Sequence, residues 1–191
     1  MESNNEIKKI LAPELQTSAW LNTPQPLTLA SLRGKVVVMH AFQMLCPGCV
    51  QSGIPQTQRV YDEFDPAQVA VIGIHTVFEH HAVMGRDALE VFAYEYRLRF
   101  PIAIDKPDDQ QAIPHTMRLY RMQGTPTLIL IDKTGHLRLH KFGHVSDLIL
   151  GVSIGTLLAE EMEATETASS TAQEDTTKVV HKDCDENGCH I

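Results

Sequence analysis

The apolar run Val36-Val37-Val38-Met39-His40-Ala41-Phe42, with Cys46-Pro47-Gly48-Cys49 close behind it, sets the tightest limits on how this chain can fold. A continuous apolar stretch opened by the Arg33-Gly34 turn reads as a strand buried on both faces. Pro47 suits the first position of a helix, because its ring fixes φ and its missing N–H would be unbonded there anyway. With the first cysteine capping that helix, both sulfurs lie within one turn and can close a small disulfide ring. Such a pair makes a poor scaffold disulfide and a good redox switch. Free cysteine titrates near about 8.5, and helix N-termini of this kind bring it to roughly 3.5–7.5.

Composition narrows the setting. The chain has 191 residues and is 43% hydrophobic, enough for one core or one domain with a tail. The polar start Met1-Glu2-Ser3-Asn4-Asn5-Glu6 has no apolar segment of a secretory signal, and no run reaches the roughly 18 apolar residues of a membrane span. The expected compartment is therefore the cytoplasm, where Cys-x-x-Cys is redox-active or metal-binding. All four cysteines fall in two close pairs, Cys46/Cys49 and Cys184/Cys189. The net charge of −8 sits mostly in the tail. From Glu160 onward nine acids face only Lys178 and Lys182, leaving fifteen acids and fourteen bases in the rest. No basic patch interleaved with aromatics appears, so neither nucleic acid nor membrane is an expected partner.

Residues 1–34 read as an irregular lead-in with one short strand around Trp20-Leu21. A helix is expected from Pro47 to about Phe64, and Val69–His75 is a second buried strand. Leu89, Phe92, Ala93 and Tyr96 recur at helical spacing within Arg86–Arg97, and Pro101–Asp105 is a short strand after them. His115–Met122 reads as helical. Thr127–Ile131 and His136–His140 form a hairpin around Asp132-Lys133-Thr134-Gly135, and a last helix covers Ser146–Glu161. This alternation predicts an α/β domain with a mixed central sheet flanked by helices. Residues 162–180 are rich in Glu, Thr, Ser and Ala and read as a disordered acidic linker. Residues 181–191 form a Cys/His-containing tail.

Strand, Cys-x-x-Cys, helix, strand, and then Gly124-Thr125-Pro126-Thr127 opening another strand resemble a thioredoxin-like fold over about residues 20–160. The added helix and strand between His75 and Asp105 resemble the insertion of the redoxin or TlpA-like branch, within the AhpC/TSA-related superfamily. That places the boundary of a redoxin-like domain at residues 1–161. The resemblance implies a thiol–disulfide oxidoreductase that needs no cofactor. Cys46 would be the exposed nucleophile and Cys49 the thiol that resolves the mixed disulfide. Pro126 is expected to be cis, with the Thr125 backbone holding an incoming peptide. Protein disulfides or a thioredoxin-type reductant would be the partners. His40 stands where thioredoxins place a buried acid, and it can serve Cys49 as a base or be an ordinary core histidine.

Three departures mark this chain. Leu45 replaces the usual tryptophan, the Pro-Gly order is reversed, and the helix proline falls one position late at Pro55, beside Gly53. That shift implies a bulge or displaced kink. Pro47-Gly48-Cys49 also resembles the Thr-Pro-Gly-Cys of bacterioferritin-comigratory peroxiredoxins, which would make Cys49 peroxidatic and hydroperoxides the substrate. Phe42 in place of the motif proline and the absence of an arginine at Gly124-Thr125-Pro126 speak against it. His75, Glu79, His80 and His81 are either solvated loop residues or metal ligands. His181, Cys184, Cys189 and His190 supply four soft donors for Zn²⁺ or Cu⁺, which would make the chain a metal carrier. The same tail reads equally well as a second dithiol, about 22 residues past Met162 and within a typical reach of roughly 25 Å.

Overall fold

The computed structural model describes residues 10–160. Six strands form one mixed sheet in the order β1-β4-β3-β2-β5-β6. They are β1 (Thr17–Leu21), β2 (Val36–Phe42), β3 (Val69–His75), β4 (Ile102–Asp105), β5 (Thr127–Ile131) and β6 (Leu137–Phe142). The helices are α1 (Ile54–Glu63), α2 (Arg86–Glu95), α3 (His115–Leu119) and α4 (Asp147–Ala159). Strand β2 lies between parallel β3 and antiparallel β5, with every residue buried, and this is why its sequence is continuously apolar rather than alternating.

Alternate residues of β2 feed two cores. Val36, Val38 and Phe42 pack with Ile54 and Val60 of α1, Leu89 of α2 and Leu150, Ile154 and Leu157 of α4. Val37, Met39 and Ala41 pack on the other face with Met117 of α3 and with Leu29 and Leu32. The lead-in is more ordered than its sequence suggests. Leu11 bridges His136, Ala12 donates to the Gly135 carbonyl at 2.9 Å, and β1 pairs antiparallel with β4 through four of its five residues, with a bulge at Ser18. Helix α3 is shorter than expected, and its N-terminus is held by Asp105, which accepts from the N–H groups of Thr116 (2.7 Å) and Met117 (2.9 Å). Among the described residues no helix is long and apolar enough to cross a membrane.

The junction of β2 and α1 carries the main local surprise. Residues 47–63 are helical, as Pro47 predicts, but Cys49–Gly53 form a π turn before α1 begins. Pro55 then falls within the first two residues of α1, where its missing N–H does no harm. The extra residue of the π turn is the bulge implied by the late proline.

Candidate active site

Cys46 ends the turn that leaves β2, and Cys49 opens the π turn. The backbone N–H of Cys49 donates to Cys46 Sγ at 3.3 Å, so the first thiol caps the helix. The Cys46 thiol in turn donates to the Thr125 carbonyl at 3.4 Å. Both cysteines are free, Cys46 half-buried and Cys49 fully buried. Burial pushes the Cys49 thiol up to about 12; a hydrogen bond with Cys46 adds to this, while the Gln43 backbone opposes it.

The Thr125–Pro126 peptide is cis, as expected from the sequence. A Cβ built on Gly48 would stand 3.3 Å from Pro126 Cδ, so the proline ring lies directly against the dipeptide between the cysteines. This contact gives the reversed Pro-Gly order a physical reason. Pro47 takes the exposed, helix-starting place, and glycine takes the place facing Pro126. Gly124, two residues earlier, lies under Phe142, whose ring would come within 3.0 Å of an added Cβ. Leu45 is 58% exposed beside Cys46, and Phe142 is 46% exposed. With Pro126 they give this end of the sheet an apolar surface.

His40 lies on the face of β2 shared with Phe42 and the dithiol helix. Its ring is stacked 6.3 Å from Phe42, and neither ring nitrogen has a hydrogen-bond partner among the described residues. A Cβ on Gly53 would fall 2.2 Å from His40 Nε2. Glycine is therefore the residue that lets the imidazole pack against the helix backbone at the π turn. Gly53 is one turn from Cys49, and same-face neighbours four apart lie about 5–6 Å from each other at Cβ. Burial lowers the His40 imidazole to about 4. His75, at the end of β3, is also buried; it sits 5.4 Å from the Phe42 ring and is lowered to about 4 by burial. It is a core residue. His80 and His81 lie exposed in the loop beyond, and the described residues contain no group of three metal-ligating side chains. The candidate ligands His181, Cys184, Cys189 and His190 lie outside the described residues, as does the linker at 162–180.

Gly53→Ala should cost about 1–3 kcal/mol by overpacking, read as a lowered denaturation midpoint. In a His40→Ala background the added methyl enters space the ring has left, so the pair should cost less than the sum of the singles. Strict additivity would show that His40 does not fill that space.

A dithiol at the start of the helix after the central strand, facing a cis-proline loop, is the arrangement of a thioredoxin-like fold of the thiol–disulfide oxidoreductase type. The chain belongs to the AhpC/TSA family, whose match covers residues 10–140. It is similar to the crystal structure of the thioredoxin-like superfamily protein SPOA0173, at 55% identity and a TM-score of 0.79, covering 81% of this chain and 99% of that one. A thiol-disulfide isomerase from Corynebacterium glutamicum is 49% identical with a TM-score of 0.76, over 78% of this chain and 98% of its own. Protein DipZ of Mycobacterium tuberculosis is 38% identical over 136 residues, 69% of this chain. The match spans 18% of DipZ, so this chain corresponds to a small part of that protein.

Proposed function

We propose that the chain exchanges disulfides with protein substrates through Cys46 and Cys49. The carrying observation is the asymmetry of the pair: Cys46 is half-exposed with an N–H aimed at its sulfur, while Cys49 is wholly buried beneath it. In the reducing direction, the Cys46 thiolate attacks a substrate disulfide, forming a mixed disulfide and releasing one substrate thiol. Cys49 then loses its proton and attacks Cys46 Sγ, which releases the second substrate thiol and leaves a Cys46–Cys49 disulfide. A thioredoxin-type dithiol would restore the reduced pair.

The order of events is supported by what holds Cys49 protonated. Besides burial, a hydrogen bond and repulsion from Cys46 keep its thiol raised. Both influences of Cys46 vanish once that sulfur is bonded to substrate, so the resolving thiol becomes easier to ionise when it is needed. His40, whose ring packs against Gly53 one turn along the helix from Cys49, is the base in this scheme, and Thr125 with Pro126 forms the substrate groove. In the resting dithiol, burial holds the Cys49 thiol protonated and the His40 ring neutral.

A peroxidatic Cys49 finds no favourable observation, since its sulfur is buried and held protonated. The test is alkylation of the native reduced chain, followed by peptide mapping. Cys46 should be modified first, with Cys49 protected until denaturant is added. Equal or faster labelling of Cys49 would overturn the assignment.

A further inference from the structure

We propose that the tail pair Cys184/Cys189 is a second dithiol that docks at the Cys46 surface and reduces the Cys46–Cys49 disulfide within the same chain. This rests on Cys46 being the reactive sulfur of the proposed function. Two observations carry it. First, exposed Leu45 adjoins the half-buried Cys46, Pro126 packs against Gly48 between the cysteines, and half-exposed Phe142 lies over Gly124 of the same cis-proline loop, so apolar surface beside the sulfur is left uncovered among the described residues. Second, the branched aliphatic side chains of the residues that follow α4 gather around the second cysteine pair. Val179, Val180 and Ile191 are the only Val, Leu or Ile beyond Leu158, and they flank Cys184 and Cys189 in an otherwise acidic, small-residue segment.

The distance is no obstacle. The end of α4 is fixed near the β5–β6 turn, where Lys133 Nζ donates to the carbonyls of Leu158 (2.7 Å) and Glu160 (3.0 Å). That turn lies at the opposite end of the sheet from Pro126, one sheet length away. Seven residues of β2 at ~3.3 Å each make this roughly 23 Å. Cys184 follows Glu160 by 24 positions, which allows up to about 80 Å fully extended, and a coil of that length averages roughly 25–30 Å.

The acids bias the direction of transfer. Asp183, Asp185 and Glu186 disfavour a tail thiolate, which withholds stabilisation from the reduced tail, and the tail is the proposed electron donor. A tail thiol loses its proton and attacks Cys46, the accessible sulfur of the Cys46–Cys49 disulfide. The tail–Cys46 bond forms as the Cys46–Cys49 bond breaks, and the electron pair leaves on Cys49, which takes up a proton. The second tail thiol then displaces Cys46, giving a Cys184–Cys189 disulfide and a reduced Cys46/Cys49 pair. Two electrons and two protons have moved within the chain, and an external dithiol then re-reduces the tail disulfide.

The test uses the full chain with Cys49→Ser/Cys189→Ser, and in parallel Cys49→Ser/Cys184→Ser, each treated with oxidised glutathione. In at least one variant, Cys46 should become linked to the remaining tail cysteine with loss of glutathione. The rate should be independent of protein concentration and roughly 100-fold above that for a 181–191 peptide supplied at about 10 µM. A glutathione adduct that persists on Cys46, or covalent dimers forming faster at higher concentration, overturns the tail's role and leaves the proposed function standing. If Cys46 neither takes up glutathione nor pairs with the tail, both readings are overturned. A stoichiometric zinc adduct that blocks exchange in the reduced wild-type chain overturns the redox role in favour of metal binding.

Discussion

Cys46→Ser should abolish turnover of a disulfide substrate, lowering it by at least ~10³-fold, because no other described sulfur can reach an incoming protein. Cys49 is fully buried and carries a thiol pushed up to about 12, so it cannot take over the attack. Cys49→Ser should fail differently. It loses multiple turnover but retains the first attack, so one substrate thiol is released per chain in a rapid burst. Stopped-flow detection of released thiol on both variants separates these outcomes. A Cys46→Ser protein that still gives a burst would place the nucleophile elsewhere.

Acid should cost this protein much of its stability. His40 and His75 are neutral in the fold and lowered by burial from 6.5 to about 4. Between those values the unfolded chain takes up protons that the folded chain refuses, so the stabilisation is complete above about pH 6.5 and is lost as pH falls toward 4. At pH 5 the expected loss is about 2 kcal/mol per histidine, or about 4 kcal/mol for the pair. Asp105 acts with the opposite sign, since burial raises its carboxyl and favours the fold as pH falls. It offsets part of the histidine effect. Urea denaturation at pH 7 and pH 5 reads the difference, and His40→Leu should remove about half of it. Stability unchanged between the two pH values would contradict two neutral imidazoles in the core.

The parts of the fold that were legible in the sequence were those with a local cause. Strands β2 and β3 show as continuous apolar runs because both are buried on two faces. The helix start shows in Pro47, and the loop facing it shows in Gly124-Thr125-Pro126. The late Pro55 signalled a bulge, which the π turn at Cys49–Gly53 supplies. What was hidden depends on contacts far apart in the chain. The link from Leu11 to His136 and the capping of α3 by Asp105 leave no local pattern. Gly53 was visible only as a glycine near a proline. Its purpose, making room for His40 thirteen positions earlier, appears when the ring is seen against the helix backbone. His75 closes the second apolar run and precedes Glu79, His80 and His81, so its sequence context leaves it open between a solvated residue and a metal ligand. The final inward position of β3 makes it part of the core instead.

The central claim is that Cys46 attacks and Cys49 resolves, and one trapping measurement addresses it most directly. Cys49→Ser in a chain that also carries Cys184→Ser and Cys189→Ser is mixed with a peptide containing a single disulfide, and the products are mapped by mass spectrometry. A one-to-one covalent complex joined through Cys46 and released by dithiothreitol is the expected result. No complex from this chain, with one joined through Cys49 when Cys46 is replaced instead, would contradict it.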